Sequence, residues 1–261
     1  MSILNNRTRI EIWKDVVFAI FLRDIKSRFS DKLGISWSVV SPLLFIMLLT
    51  LIRGHVDGGE THTMPTYFFM AFGILYVRFF IESVSSISNA IKSNKALFAF
   101  RQVQPISAFI AISMFELLSK FIVALLVVLI GYFIGVPIFL FNILGILICF
   151  ILLWLFSTSV SIFFALSQCY VSEVCKIKSF LLRPIIFISG AFFGLRDIPR
   201  DYWSYFDWNP ILHAVELTRY YSKPTYGDLG VSLSYLVIVT VLSLFMSLCC
   251  YQAFWKNAVS R

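Results

Sequence analysis

Long apolar runs alternate with short charged segments along this chain. The runs occupy residues 35–52, 67–87, 106–134, 141–166, 180–195 and 229–254. Most of them approach or exceed the roughly 20 apolar residues that a helix needs to cross the hydrocarbon core of a bilayer. The pattern therefore predicts an all-α integral membrane protein with six transmembrane helices.

The run at 180–195 fits this prediction least well. As a helix it would extend only about 24 Å, whereas the hydrocarbon core is about 30 Å thick. It reaches across if the amphipathic lead-in SEVCKIKS, residues 172–179, continues the same helix. The third and fourth runs are better defined, since the short GVP turn around Pro137 predicts an antiparallel hairpin.

The first 34 residues follow a different pattern. Between residues 10 and 22, apolar side chains recur at helical spacing opposite Glu11, Lys14 and Asp15. Such a segment is too short to span and predicts an amphipathic helix in the membrane interface. We therefore expect a cytoplasmic interfacial helix with a basic segment at 1–34, followed by a six-span domain at 35–261.

The composition agrees with residence in lipid. The chain has 261 residues, of which 59% are hydrophobic and 14% charged, whereas soluble domains carry about 25% charged residues. Orientation and anionic headgroups explain the net charge of +8, so we expect membrane lipid rather than nucleic acid as a partner. The five cysteines show no C-x-x-C spacing and no histidine cluster, which predicts free thiols and no metal site.

Basic residues predict how the spans are oriented. With both termini in the cytoplasm, fourteen lysines and arginines of the termini and loops lie inside, and five lie outside. The five are Arg53, Arg196, Arg200, Arg219 and Lys223. This asymmetry predicts a multi-pass protein with cytoplasmic termini. The ring-rich segment 190–219 then falls outside, where its length favours a re-entrant structure at about 196–219 over a solvated loop.

Missing motifs exclude some activities. The chain has no G-x-x-x-x-G-K-[ST] loop, no H-E-x-x-H and no G-x-S-x-G. It therefore cannot hydrolyse ATP unaided, and we expect no catalytic residue. A membrane-embedded glycan transferase is an alternative from another class, although the sequence lacks a D-x-D pair that would hold a metal.

Two pairs of charged residues fall within the second and third apolar runs. Arg78 and Glu82 are four positions apart on the second span, and Glu116 and Lys120 are four apart on the third. Each pair shares a helix face and can partly neutralise itself. The pairs either hold neighbouring helices together or line a polar path. An ion-coupled transporter, a further alternative, would need Arg78 and Glu116 to be unpaired and titrating.

Three stretches of the chain resemble one known family. They are FLRDIKSRFSDKLGISWSVVSP, NKALFAFRQVQPI and IPRDYWSYFDWNPILHAVELTR. The chain resembles the permease subunit of capsular polysaccharide ABC exporters, the KpsM-like group, over essentially its whole length. The last stretch is the most specific. It matches relatives at Trp203, Asn209, Pro210, His213, Glu216 and Arg219.

This resemblance implies a transporter without bond chemistry of its own. Two copies of the chain would form a continuous channel, bound to two copies of a separate P-loop ATPase that holds the ATP and Mg²⁺, so this chain would carry no cofactor. The cargo would be a lipid-linked acidic polysaccharide that crosses the bacterial inner (cytoplasmic) membrane. Periplasmic and outer-membrane capsule export proteins would receive it. Permeases for O-antigen, teichoic-type polymers or drugs are related alternatives.

The resemblance also implies two functional regions. The N-terminal helix and the loop 92–105 would dock on the ATPase, with coupling residues Asn94, Leu97, Phe98 and Arg101. The re-entrant segment would flank the exit, where rings stack on sugar faces and arginines attract an acidic glycan. These exit residues are Tyr202, Trp203, Tyr205, Trp208, Arg196, Arg200 and Arg219. On the residues alone, the loop can instead lie on the lipid surface, and the rings can instead form an interfacial aromatic belt.

Structural roles are expected for the end of the third stretch. Asn209 and Pro210 would break the helix at a re-entrant turn. His213, Glu216 and Arg219 share one helical face. They would form a hydrogen-bonded network that fixes the re-entrant helix, or else contact the substrate directly.

Two positions depart from the family pattern. Relatives often have an acidic residue where Ser41 precedes Pro42, and a basic residue where Ser113 stands here. Any ion pair between these positions is absent from this chain. Either the pair was lost as a unit, or the substrate path differs in charge.

Overall fold

The protein is α-helical, and its structure, a computed structural model, describes residues 8–30, 32–100 and 103–260. The helices are α1 (Arg9–Ser30), α2 (Lys32–Asp57), α3 (Thr66–Ile87), α4 (Ala90–Ser93), α5 (Pro105–Phe133), α6 (Ile143–Tyr170), α7 (Val174–Ile188), α8 (Pro210–Ser222) and α9 (Leu233–Ser260). A short hairpin pairs β1 (Glu60–Thr61) with β2 (Met64–Pro65). Short 3-10 segments cover Lys95–Ala99, Leu195–Asp197, Arg200–Tyr205 and Pro224–Tyr226.

Five of the described helices are long and apolar enough to cross a membrane, namely α2, α3, α5, α6 and α9. The predicted count of six differs at α7, which has only 15 residues. Most of the predicted lead-in does join α7, because the helix begins at Val174. It ends at Ile188 rather than Leu195 because Gly190 turns the chain, with a φ of 73° that favours glycine.

The helix ends gather at two opposite ends of the bundle. One end contains α1, α4, the start of α5 and the last turns of α6 and α9; there, Ile106 N donates to Tyr251 Oη at 3.1 Å. The other contains the hairpin, the 3-10 segments after α7, and α8; there, Phe141 N donates to Ser222 O at 3.1 Å. We call these the α1 end and the α8 end.

The short helix α7 nevertheless connects the two ends. Lys178 Nζ donates to Ser88 Oγ at 2.6 Å at the α1 end. Just beyond the helix, Ser189 Oγ accepts from Asn209 Nδ2 at 2.9 Å at the α8 end. This part of the chain therefore contacts elements of both ends of the bundle.

The helix α3 lies at the centre of the bundle. Of its 22 residues, 17 are buried, and it packs against α2, α5, α6 and α8. Its small residue Gly73 permits a close approach, since a Cβ atom there would lie 2.5 Å from Ala191 O and 2.6 Å from Arg219 Nη2. At Gly73, α3 therefore packs closely against α8 and the segment after α7.

The N-terminal helix is longer than the pattern indicates. It runs from Arg9 to Ser30, so the basic residues Arg23, Lys26 and Arg28 are helical as well. Thr8 and Glu11 exchange backbone-to-side-chain hydrogen bonds of 2.8 and 3.3 Å, and this capping box fixes the start of the helix. Ile20 is buried against the bundle, whereas Ile10 and Phe18 are exposed. One apolar side of α1 therefore packs on the protein and another remains open.

Candidate functional site

The helix α8 starts where the sequence pattern indicates a break. Asn209 caps it, because its Oδ1 accepts from Ile211 N at 3.0 Å, and Pro210 occupies the first helical position, which requires no backbone N–H. Asn209 Nδ2 also donates to Ile188 O at 3.2 Å. Asn209 therefore joins the start of α8 to the end of α7.

His213 holds α8 against the segments on either side of it. Its Nε2 donates to Asp207 O at 2.8 Å, and its Nδ1 accepts from Ser232 N at 3.0 Å. The ring lies 4.6 Å from the Tyr235 ring, centroid to centroid. Both ring nitrogens are thus used in contacts within the protein.

Arg219 is fully buried, and each nitrogen of its guanidinium donates a hydrogen bond. Nη1 donates to Glu216 Oε1 at 2.7 Å and to Phe193 O at 3.0 Å. Nη2 donates to Gly190 O at 2.9 Å and to Phe69 O at 3.0 Å. Nε also donates to Phe69 O, at 3.3 Å. Arg219 therefore joins α8 to α3 and to the segment after α7.

This burial corrects one prediction from the sequence. With 0% of its side chain exposed, Arg219 does not reach a surface where it would attract a glycan. Its charge is balanced by Glu216, whose Oε2 accepts from Tyr226 Oη at 2.7 Å. Burial raises the pKa of the Tyr226 phenol, which keeps it a hydrogen-bond donor. Glu216 and Arg219 thus belong to an internal network.

A second charged cluster fastens the hairpin to the segment after α7. Arg53 Nε donates to Asp57 Oδ2 at 2.8 Å, and its Nη2 lies 3.4 Å from Asp197 Oδ2. His62 Nε2 donates to Asp197 Oδ1 at 2.6 Å, and Gly194 N donates to Asp197 Oδ2 at 2.8 Å. Asp197 is therefore the common acceptor for three elements at the α8 end.

The predicted exit rings divide into exposed and half-buried ones. Tyr202, Tyr205 and Trp208 are 56%, 70% and 62% exposed. The Tyr202 and Tyr205 rings lie 6.4 Å apart at 30°, and Trp208 Nε1 donates to Tyr205 O at 2.7 Å. Trp203 is half-buried, and its Nε1 donates to Ile198 O at 2.9 Å. The exposed rings are therefore held in place by local contacts.

Two arginines border these rings. The guanidinium carbon of Arg196 lies 5.5 Å from the Tyr226 ring centroid, and that of Arg200 lies 5.9 Å from the Trp203 centroid. Both arginines are exposed. We call Tyr202, Tyr205, Trp208, Arg196 and Arg200 the aromatic surface. Flat rings beside cations can stack on a sugar face and pair with its acidic groups.

A groove of about 600 Å³ lies between α2, α3 and α7. Its apolar lining includes Leu44 and Leu48 of α2. Arg78 lines it too, with Nε donating to Glu82 Oε1 at 2.9 Å and Nη2 donating to Ser41 Oγ at 3.3 Å. Ser41, which departs from the family pattern, therefore contacts this ion pair.

The intramembrane charges are connected differently from the predicted arrangement. Besides accepting from Arg78, Glu82 accepts from Lys120 Nζ on α5 through its Oε2. Lys120 and Glu116 are both buried. The charges of α3 and α5 are thus linked across the helix interface instead of only along each helix. Ser113 on α5 instead donates to a backbone carbonyl of its own helix, Ile110 O, at 3.0 Å.

The predicted coupling residues lie at the α1 end. Asn94 is only 1% exposed; its Nδ2 donates to Ala90 O at 2.8 Å, and its Oδ1 accepts from Arg23 Nη2. Asn94 therefore holds the loop to α1 instead of facing outward. Leu97 and Phe98 are partly buried against the same core, and Arg101 lies outside the described residues.

The cluster around Asp197 and the role of Tyr226 were not predicted from the sequence. His62 and Asp197 are separated by 135 positions, so no local spacing brings them together. An available signal was that Asp57 and Asp197 are acidic residues beside apolar runs, where an ionic partner is expected. Within the described parts of the chain, no group of three or more metal-ligating side chains is present.

Comparisons with known proteins agree with the resemblance in the sequence. A family model described as ABC-2 type transporter matches residues 15–222. The polysialic acid transport protein KpsM of Escherichia coli is 36% identical over 250 residues, covering 94% of this chain and 96% of KpsM. The capsule polysaccharide export inner-membrane protein BexB of Haemophilus influenzae is 24% identical over 253 residues, covering 93% of this chain and 92% of BexB.

A third relative has the same description. The capsule polysaccharide export inner-membrane protein CtrC of Neisseria meningitidis serogroup A is 23% identical over 220 residues, covering 80% of this chain and 79% of CtrC. The family match includes the groove, the charges of α3 and α5, and the network of α8. The similarity to the KpsM-like group is thereby confirmed. This chain belongs to the ABC-2 type transporter family.

Proposed function

We propose that this chain is the membrane subunit of an ATP-driven exporter that moves a lipid-linked capsular polysaccharide from the cytoplasm to the periplasm. The main support for this proposal is the similarity to KpsM over nearly the full length of both proteins. BexB and CtrC, whose names specify capsule polysaccharide export and the inner membrane, support the same cargo and location. The protein therefore works in the bacterial inner membrane.

ATP hydrolysis belongs to a separate subunit. The sequence has no phosphate-binding loop of the Walker type, so two copies of a P-loop ATPase would supply the ATP and Mg²⁺ sites. The α1 end is where they dock. Phe100, within the loop 92–105, is 65% exposed, and the open apolar side of α1 lies at the same end. An exposed ring between basic residues suits a groove on a soluble partner.

The chain crosses the membrane six times in this proposal, with both termini in the cytoplasm. The contacts of α7 at both ends of the bundle support a sixth crossing, and the positive-inside asymmetry supports the orientation. The helix α8 is re-entrant, because it begins beside Ser189 and finishes beside Phe141 at the same end. In this proposal the helix α1 is the interfacial part, and the helices from α2 to α9 belong to the six-span domain.

A second copy of the chain covers the groove between α2, α3 and α7. Only 11% of the apolar window of α2 is buried within one chain, while the groove contains the Arg78–Glu82 pair, whose side chains are 26% and 32% exposed. Charges within a membrane face a protein interior or a water-filled cavity, because contact with hydrocarbon is costly. The exposed apolar side of α2 and the charges in the groove therefore support a homodimer with a continuous polar channel at this face.

The aromatic surface then lies at the periplasmic exit. Tyr202, Tyr205 and Trp208 offer sugar-stacking faces, and Arg196 and Arg200 offer positive charge to an acidic polymer. Arg219, His213 and Glu216 fix the scaffold beneath this surface. Periplasmic and outer-membrane export proteins would receive the polymer there.

Deletion of the gene in its host tests the proposal. We expect full-length lipid-linked polymer to accumulate in the cytoplasm, as detected by fractionation and antibody-labelled microscopy, and the intact gene to restore the surface coat. Loss of the polymer while its precursors and synthetic enzymes remain active would indicate a glycan transferase instead. A normal surface coat in the deletion strain would contradict the proposed cargo.

A further inference from the structure

A basic cavity at the α1 end lies apart from the proposed channel, and its two lysines belong to the loop 92–105. It has a volume of about 310 Å³ and lies between α4, the turn from α6 to α7, and the last turns of α9. Its lining includes Lys92, Lys95, Gln168, Tyr170, Ser172 and Ala258. The two lysines are exposed, so the cavity combines an open mouth with positive charge.

One wall of this cavity contains the side-chain amide of Gln168, which makes no hydrogen bond within the described residues. The residue is 3% exposed, and neither its amide oxygen nor its amide nitrogen has a hydrogen-bond partner within the described residues. Burying an amide without a partner is unfavourable. An oxygen atom of a ligand inside the cavity would accept from Gln168 Nε2 and remove part of this cost. Such a wall beside two lysines suits an anion with several oxygens, such as a phosphate.

An apolar groove continues from the cavity along α6 and α9. It has a volume of about 350 Å³, and its lining includes Phe163, Leu166, Tyr170, Val174, Cys250 and Phe254. Tyr170 lines both spaces, and its Oη donates to Phe254 O at 3.3 Å. On α9, Cys250 and Phe254 line the groove and Ala258 lines the cavity, one helical turn apart each time. The groove therefore leads from the basic cavity toward the middle of the bundle.

We propose that the cavity and the groove together bind one anionic phospholipid of the inner leaflet. The headgroup phosphate lies between Lys92 and Lys95 and accepts from Gln168, while an acyl chain occupies the groove between α6 and α9. Position and chemistry favour a lipid over an acidic peptide, because the apolar groove runs between two helices long and apolar enough to span a membrane. The site is separate from the groove between α2, α3 and α7, and it does not depend on the identity of the cargo.

Lipid retention by the full-length protein tests the site. The protein is equilibrated with an equal mixture of phosphatidylglycerol and phosphatidylcholine, and the bound lipids are counted by native mass spectrometry. We expect Lys92→Glu with Lys95→Glu to lower the ratio of bound phosphatidylglycerol to phosphatidylcholine by roughly tenfold or more, since each basic residue near an anionic surface contributes about a factor of five. The matched control, Lys176→Glu with Lys256→Glu, makes the same charge change at exposed positions of the same end that do not line the cavity, and should leave the ratio unchanged.

A second pair of variants tests the groove. Cys250→Trp fills the groove and should reduce phosphatidylglycerol retention, whereas Cys249→Trp, at an exposed neighbouring position outside its lining, should not. Equal retention in all variants would overturn the proposal. Binding of inorganic phosphate that depends on Lys92 and Lys95 while lipid retention stays normal would replace it with a free-anion site. If Lys92→Glu with Lys95→Glu abolishes association with the ATPase subunit but leaves lipid retention unchanged, the cavity is a docking surface for that subunit instead.

Discussion

Arg219 and Glu216 form an ion pair of 2.7 Å in which the side chains are 0% and 5% exposed. The pair sits on α8, but its hydrogen bonds reach Phe69 on α3 and Gly190 after α7. A single guanidinium thus joins three elements that are far apart in sequence. The α8 end is held together from inside, which leaves the exposed rings above it available for contacts with a ligand.

Removal of the Arg219 guanidinium should destabilise the protein strongly. Arg219→Ala leaves Glu216 buried without its counter-ion, and breaking such a pair costs about 3–5 kcal/mol. Arg219→Lys should also lower stability, because an ammonium cannot reproduce the planar set of donors. The measurement is the temperature at which the purified protein loses its monodisperse peak in size-exclusion chromatography. Arg200→Ala, at an exposed position, is the control and should change this temperature little; equal losses would contradict the account.

A methyl group at Gly73 should separate α3 from α8. A Cβ there would lie 2.5 Å from Ala191 O and 2.6 Å from Arg219 Nη2, whereas nothing lies within 4 Å of a Cβ at Gly54. We expect Gly73→Ala to cost about 1–3 kcal/mol, the range for overpacked sites, and Gly54→Ala to be neutral or slightly stabilising. Thermal unfolding of both variants under the same conditions gives the comparison. If Gly54→Ala proves less stable than Gly73→Ala, the contact between α3 and α8 accommodates the extra methyl group without strain.

Asp197 should make the stability of the α8 end depend on pH. Burial alone would raise the pKa of Asp197, but the hydrogen bonds from Gly194 N and His62, together with the charge of Arg53, hold it below its usual value. A carboxyl group with a lowered folded pKa contributes stability above its unfolded pKa of about 4, and that contribution is lost as the pH falls through the folded pKa. Asp197→Asn should therefore be less thermostable than wild type at pH 7, and the difference should narrow below about pH 4. A difference that is constant between pH 7 and pH 3 would rule out this role.

Truncation of the exposed rings should slow export without affecting assembly. Tyr205→Ala and Trp208→Ala should each reduce the export rate by about two- to tenfold, since an aromatic contact contributes about 0.5–1.5 kcal/mol. Association with the ATPase should be unchanged, because these residues lie at the opposite end. Phe141→Ala is the matched control, as this ring is 80% exposed at the same end but lies outside the aromatic surface. If all three variants lose export equally, the rings act as an interfacial belt rather than a glycan surface.

Disulfide cross-linking should locate the dimer interface. In a background without the five native cysteines, Leu48→Cys in the groove should form cross-linked dimers in membranes under oxidising conditions. Leu242→Cys on α9 is similarly exposed, at 55% against 56%, but lies outside the groove and should stay monomeric on gels. Cross-linking of Leu242→Cys alone would move the interface to α9.

The long apolar helices could be predicted from the sequence, because the bilayer requires continuous apolar stretches of a defined length. The run at 67–87 and the helix Thr66–Ile87 nearly coincide, because a long apolar stretch has few alternatives to a helix in lipid. The length of α7 was harder to predict, since it depends on the local turn at Gly190. Sequence spacing placed His213, Glu216 and Arg219 on one face of a helix. It could not show that Arg219 points to Phe69 O, because that contact is made by tertiary packing over 150 positions.

ATP-driven movement of a polysaccharide can be measured in inside-out membrane vesicles. Vesicles containing this chain and its ATPase are supplied with the labelled lipid-linked polymer, and the fraction protected from an added glycosidase is measured. We expect protection to appear only with ATP and to require both subunits. Polymer that remains fully accessible to the enzyme, although the subunits are assembled and ATP is hydrolysed, would contradict it.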